Sequence, residues 1–158
     1  MIRSTYVRLT LIGLSMVAIQ VVLLRHLEIF GATADLVLLF LIWLCTKKER
    51  VACLLFAASL GLLQDAFTDL WGVHMFSKVI VVFIAHSFLH RTSENSFLLW
   101  QVFLILTGTT FIHNLVFFGV SSFSGVLAAN HLAGTLLFTS TLFTATLGGF
   151  LHLVRNDQ

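Results

Sequence analysis

The sequence predicts an all-α, polytopic membrane protein with six transmembrane helices. Of its 158 residues, 58% are hydrophobic and only 10% are charged, and the mean hydropathy is +1.00. A soluble domain carries about 25% charged residues, so this composition excludes an ordinary water-soluble globule. Disordered tails, coiled coils and nucleic-acid-binding modules need more charge than this chain has. The function is therefore expected within the bilayer or at its faces.

Six apolar segments, separated by polar residues, make up one predicted domain over residues 1–158. The predicted spans are about 6–24, 30–46, 51–65, 73–90, 97–120 and 132–154. The first span and the last three are long enough to cross about 30 Å of hydrocarbon at 1.5 Å per residue. The second and third are short and form a tight hairpin, which the longer helices would enclose. Gln20 interrupts the first segment, which favours a span over a cleaved secretory signal.

The distribution of Lys and Arg predicts the orientation. With both termini in the cytoplasm, seven of the nine cations lie on the inner side, namely Arg3, Arg8, Lys47, Lys48, Arg50, Arg91 and Arg155. Only Arg25 and Lys78 fall on the outer half. The acidic residues Glu28, Asp35, Asp65 and Asp69 lie toward the outer side. We therefore expect the N-terminus and the C-terminus inside.

Three charged side chains, Asp35, Asp65 and Lys78, are expected at one level, about 18–22 Å above the cytoplasmic face. An ionised side chain at the bilayer centre costs about 2.5–3.5 kcal/mol, so three at one height need an explanation. One interpretation is a buried cluster, with an Asp65–Lys78 contact, that fixes the short hairpin against the fourth helix or binds a ligand. In the other, Asp35 caps the second helix, Asp65 ends the third, and Lys78 extends its ammonium to the outer headgroups.

Other polar residues are expected to support this level. His74, His113 and Asn114 lie close to it and are predicted to form hydrogen bonds between helices. His86 and His90 have the spacing of a metal-binding pair, but no carboxylate or Cys lies at the same height, so no metal site is predicted. No catalytic motif occurs, and neither an enzyme nor a cofactor is expected.

Small residues predict where the helices pack closely. Ala57 and Gly61 lie on one face of the third segment, Gly108 lies in the fifth, and Gly148 lies in the sixth. Such residues let helix backbones approach in a membrane. Cys45 and Cys53 form no redox or zinc motif and are expected to be reduced and structural.

Four short motifs carry a resemblance to a known family. Residues 34–44, 48–51, 61–65 and 71–74 read ADLVLLFLIWL, KERV, GLLQD and WGVH. In their order and spacing within a small six-span protein they resemble the rod shape-determining protein MreD family. Members often have Pro before the position of Asp35, where this chain has Ala34, and an acidic residue near the position of Asn114.

The resemblance implies a non-enzymatic scaffold in the bacterial inner membrane, surrounded by membrane lipid. MreD-like proteins associate with MreC, a single-span protein, and work with MreB filaments, the RodA glycosyltransferase and a penicillin-binding transpeptidase. The family fold also resembles the substrate-capturing components of energy-coupling-factor vitamin transporters, which gives a second hypothesis, a membrane receptor for a small molecule. The receptor needs an outward-facing pocket with convergent polar groups, whereas the scaffold needs an exposed groove for a partner helix.

Overall fold

A computed structural model of the chain describes residues 2–24, 33–70, 72–92, 99–123 and 133–156. These residues form six helices and no strand, which confirms the all-α prediction. The helices are α1 Ile2–Val22, α2 Leu36–Cys45, α3 Arg50–Thr68, α4 Val73–Thr92, α5 Leu99–Phe123 and α6 Ala133–Asn156. Arg25, Glu28 and Trp71, and the predicted starts of the spans at 30, 97 and 132, lie outside the described residues.

Five of the six described helices are long and apolar enough to cross a membrane, and the exception is α2. This finding supports the predicted multi-pass membrane protein. The third span was expected to be short, but α3 has 19 residues and extends to Thr68, so that expectation is wrong. The second segment is shorter than predicted, because α2 has only 10 residues and residues 33–35 before it are not helical. The hairpin therefore joins one short helix to one long helix.

The ends of α2 are set by side-chain and backbone capping. Asp35 is the N-cap, and its Oδ1 accepts a hydrogen bond from the backbone N–H of Leu38 at 2.8 Å. At the other end the backbone N–H of Thr46 donates to carbonyl oxygens in the last turn. The tight turn between α3 and α4 uses left-handed backbone at Asp69 and Gly72, residue types that adopt this conformation more readily than others.

The short helix α2 is the centre of the bundle. It contacts each of the other five helices, which follow one another around it in the order α1, α3, α4, α5, α6. Eight of its 10 residues are buried, namely Val37, Leu38, Leu39, Phe40, Leu41, Ile42, Leu44 and Cys45. A helix enclosed on nearly all sides needs apolar residues around its whole circumference, which explains the unbroken apolar run.

Close helix contacts occur at some of the predicted small residues. A Cβ atom on Gly61 would lie 2.6 Å from the Cα of Met75, and one on Gly148 would lie 2.7 Å from a side-chain carbon of Leu39. Ala57 is fully buried in the core. Gly108 is exposed and a Cβ there would meet nothing within 4 Å, so the prediction of close packing at Gly108 is wrong.

Candidate functional site

A buried ion pair joins the start of α2 to α4. The Nζ of Lys78 lies 2.6 Å from the Oδ2 of Asp35, and the Lys78 side chain is 0% exposed. Asp35 is placed for this contact by its role as the cap of α2, which uses its other carboxylate oxygen. Its backbone N–H also donates to the Oγ1 of Thr144 in α6, at 3.1 Å. One residue therefore connects α2 to both α4 and α6.

The predicted partner of Lys78 was wrong. Asp65 is fully buried and uses its two carboxylate oxygens to accept hydrogen bonds from the backbone N–H groups of His74 and Met75, at 2.8 and 2.9 Å. It therefore caps the start of α4 rather than pairing with the ammonium or ending α3. The expectation that Lys78 extends to the outer headgroups is also wrong, because that side chain is fully buried.

The sequence around Gly61 explains how Asp65 reaches α4. Gly61 and Asp65 are four residues apart, so they share one face of α3. The missing side chain at Gly61 lets the backbone of Met75 approach α3, and the first free N–H groups of α4 then meet the Asp65 carboxylate. These N–H groups have no partner within their own helix, so a carboxylate there satisfies them.

A second set of polar contacts extends from the ion pair to α5 and α6. The Nε2 of His113 lies 3.8 Å from the Oδ2 of Asp35 and 3.4 Å from the Oγ of Ser77. The Nδ1 of His113 lies 3.3 Å from the Oδ1 of Asn114, and the Nδ2 of Asn114 donates to the Oγ1 of Thr141 at 3.0 Å. An amide oxygen only accepts, so His113 donates from Nδ1 in this contact.

His74 lies beside this cluster rather than within its hydrogen bonds. Its ring packs on Phe117, with ring centroids 4.8 Å apart. Its backbone N–H is the group that Asp65 caps. Of the predicted residues, the structure thus brings together Asp35, Lys78, His113 and Asn114, and it places Asp65 and His74 at the α3–α4 junction. We call Asp35, Lys78, His113, Asn114, Thr141 and Thr144 the polar cluster.

Several contributing residues lie outside the predicted cluster. Gln20 in α1 accepts a hydrogen bond from the backbone N–H of Val37, and Ser140 in α6 donates to the carbonyl of Thr33, both at 3.0 Å. Thr141 and Thr144 supply the hydroxyls described above. The available signal was the density of hydroxyl residues in α6, where Thr139, Ser140, Thr141 and Thr144 lie within six positions.

The two histidines with metal-ligand spacing have a different arrangement. The rings of His86 and His90 stack with centroids 5.3 Å apart, and the Nε2 of His86 lies 3.0 Å from the carbonyl oxygen of Lys48. Because a carbonyl oxygen only accepts, that nitrogen carries a proton and is not available to a metal. The described residues contain no group of three or more His, Cys, Asp or Glu side chains that could hold a metal ion.

Chemically, the groups of the polar cluster partner one another. The ammonium meets a carboxylate, that carboxylate also caps a helix, and the amide and hydroxyl groups meet each other. Such an arrangement fixes the positions of α2, α4, α5 and α6 relative to one another. Comparisons of the chain with protein-family models, with curated proteins and with solved structures found no match.

Proposed function

We propose that this chain is a non-enzymatic scaffold of the bacterial cell-elongation complex. It crosses the inner membrane six times, keeps both termini in the cytoplasm, and binds the transmembrane helix of an MreC-like single-span protein. Through that partner it acts with MreB filaments, RodA and a penicillin-binding transpeptidase. The proposal starts from the resemblance of the motifs between residues 34 and 74 to the MreD family.

The observation that carries the proposal is a seam along α2, between α1 and α6. Within the described residues, no Cα atom of α1 lies within 8 Å of one in α6. Phe40 of α2 packs toward Gly13 of α1, and Leu39 packs toward Gly148 of α6. At about 100° per residue, Leu36 and Trp43 lie on the side of α2 between these two contacts. Both are half-buried, unlike the other residues of this helix.

A transmembrane helix suits this seam because it brings no unsatisfied backbone polar groups into the bilayer. The enclosed polar cluster also favours a scaffold over a small-molecule receptor. A receptor needs polar groups that converge on an open pocket, whereas the ammonium of Lys78 is fully buried against Asp35. In this proposal the cluster holds α2 in place as the floor of the seam.

The proposal is tested by site-specific photo-crosslinking in cells that contain a tagged MreC-like protein. A photoreactive residue at Trp43 should give a covalent adduct with that protein, identified by mass spectrometry. The matched control is Val51 in α3, which lies two residues after the hairpin turn, as Trp43 lies three before it, and is 68% exposed on the outside of the bundle. Equal adducts at both positions would contradict a defined seam, and co-purification of a vitamin with an ATPase module would favour the receptor.

A further inference from the structure

A shallow, open groove with a volume of about 370 Å³ lies on the exposed face of α1 near its N-terminus. It is lined by Tyr6, Val7, Thr10 and Leu11. Tyr6 lies one helical turn from Thr10, and Val7 lies one turn from Leu11, so the four side chains form two adjacent rows. The hydroxyl of Thr10 donates to the carbonyl of Tyr6 at 2.9 Å, so its hydrogen is already used. Val7 and Leu11 are 53% and 60% exposed, so the groove offers an apolar wall.

A positive charge lies at one end of this groove. The Nζ of Lys48 is 5.2 Å from the centroid of the Tyr6 ring, within the range of a cation–π contact. None of the described carboxylates lies within 4.0 Å of this ammonium. The charge of Lys48 is therefore open to an external anion.

Hydrogen bonds on both sides of its backbone fix the position of Lys48 in the turn between α2 and α3. Its N–H donates to the carbonyl of Leu44 at 2.9 Å. Its carbonyl accepts from the Nε2 of His86 at 3.0 Å and from the Sγ of Cys53 at 3.6 Å. The turn between α2 and α3 is thus tied to α4, and it presents Lys48 at the end of the bundle beside the first turns of α1.

The charge and the apolar wall follow one another along the axis of α1. From Tyr6 to Leu11 the groove rises about 7.5 Å along α1, away from the hairpin turn and toward the level where Gly13 meets Leu60. Lys48 lies two residues before the start of α3, and α3 is one of the apolar helices that can cross the membrane. We therefore expect the Lys48 ammonium at the level of the lipid phosphates, with the apolar wall extending toward the hydrocarbon.

We propose that this groove binds one anionic phospholipid, whose phosphate pairs with Lys48 and whose acyl chain lies against Val7 and Leu11. An anionic lipid matches both halves of the site. A soluble phosphate would use only the cation, and a zwitterionic lipid would gain less from it, since its headgroup carries its own positive charge.

The test is native mass spectrometry of the full chain released from detergent with an equimolar mixture of phosphatidylglycerol and phosphatidylcholine that have the same acyl chains. We expect about fivefold more retained phosphatidylglycerol, the effect of one cation near a lipid phosphate. Lys48→Gln should bring this ratio close to one, and Lys48→Arg should keep it. Leu11→Trp fills the groove and should lower the retention of both lipids.

Arg91 is the matched control cation. It is exposed in the last turn of α4, and among the described residues no Cα atom of α4 lies within 8 Å of one in α1, so Arg91 lies away from the groove. Arg91→Gln should leave the lipid ratio unchanged. A wild-type ratio near one, or an equal loss in the Arg91 and Lys48 variants, would overturn the proposal. Displacement of the lipid by excess glycerol phosphate would also overturn it in favour of a soluble phosphate site.

Discussion

Breaking the Asp35–Lys78 ion pair by Asp35→Asn is expected to lower the free energy of unfolding more than any other conservative substitution in this protein. Removing one member of a buried pair leaves an uncompensated charge, a loss of about 3–5 kcal/mol in unfolding free energy. Asp35→Asn removes the charge but keeps a good N-cap residue, so its effect isolates the ion pair from the cap. The Lys78 ammonium, which is fully buried, then has no other carboxylate within 4.0 Å among the described residues.

Lys78→Met should cost less than Asp35→Asn. Without the ammonium, the Asp35 carboxylate still accepts the Leu38 N–H at 2.8 Å and still faces the positive end of the α2 dipole. The double variant has neither charge, so its loss should fall short of the sum of the two single losses by about 2 kcal/mol or more. The structure thus predicts both the order of the two single effects and the sign of their coupling.

The assay is reversible unfolding in mild detergent by titration with a denaturing detergent, followed by circular dichroism. Combining Lys78→Met with Asp65→Asn is the comparison, because Asp65 is engaged by the N–H groups of α4 and should couple to Lys78 more weakly than Asp35 does. If the losses at Asp35 and Lys78 simply add, the ion pair does not stabilise the fold. If Asp65 couples to Lys78 more strongly than Asp35 does, the assignment of partners is wrong.

Three further predictions concern packing, orientation and cell shape. Gly61→Val should destabilise the protein by several kcal/mol, since its Cβ would lie 2.6 Å from the Cα of Met75, whereas Gly108→Ala should gain up to about 1 kcal/mol, both measured in the unfolding assay above. In a variant without native cysteines, Cys at Lys47 should resist impermeant thiol reagents in intact cells and Cys at Asp69 should react; the reverse pattern would contradict the orientation. Loss of the protein should give rounded, widened cells by microscopy, and turnover of a substrate by the purified protein alone would contradict a scaffold.

The sequence predicts that Asp35 and Lys78 lie at one level, and the structure joins them, but the sequence does not predict which charges pair. Counting residues from the cations of the hairpin turn gives a height along each helix and nothing about the direction in which a side chain points. The sequence therefore favours Asp65 as the partner of Lys78, although the free N–H groups at the start of α4 compete for that carboxylate. Gly61 and Gly108 are both glycines in long apolar helices, so the sequence does not distinguish them, yet Gly61 faces α4 and Gly108 faces outward.

The hydroxyl residues were hard to predict for a different reason. Ser and Thr in apolar helices commonly donate a hydrogen bond to a carbonyl of their own helix, and their presence then does not indicate a contact with another helix. Thr107 and Thr139 do this, as do Thr10 and Ser15 in α1. Thr141 also bonds to its own helix, through Leu137, but it accepts from Asn114 at the same time. Only the position of the neighbouring helix separates these two cases.

The ion pair is a physical consequence of the shortness of α2. A helix of 10 residues is about 15 Å long, half the thickness of the hydrocarbon, so its N-terminus lies inside the bundle. Every free backbone group there needs a partner from the protein, because the bilayer offers none. Asp35 meets one of these groups, the N–H of Leu38, and Gln20 of α1 meets another, the N–H of Val37.

A carboxylate used as a cap at that depth brings a charge that needs a counter-ion in the same layer, and Lys78 supplies it. The ion pair therefore follows from ending a helix inside the membrane and requires no ligand. The side chains that meet these groups are Gln20 of α1, Lys78 of α4 and Thr144 of α6, so these contacts together fix how far α1 and α6 stand from each other around α2. The width of the seam between them thus depends on polar contacts that do not line it. If the proposed partner helix binds there, changes at Asp35 or Lys78 should weaken its binding without touching it.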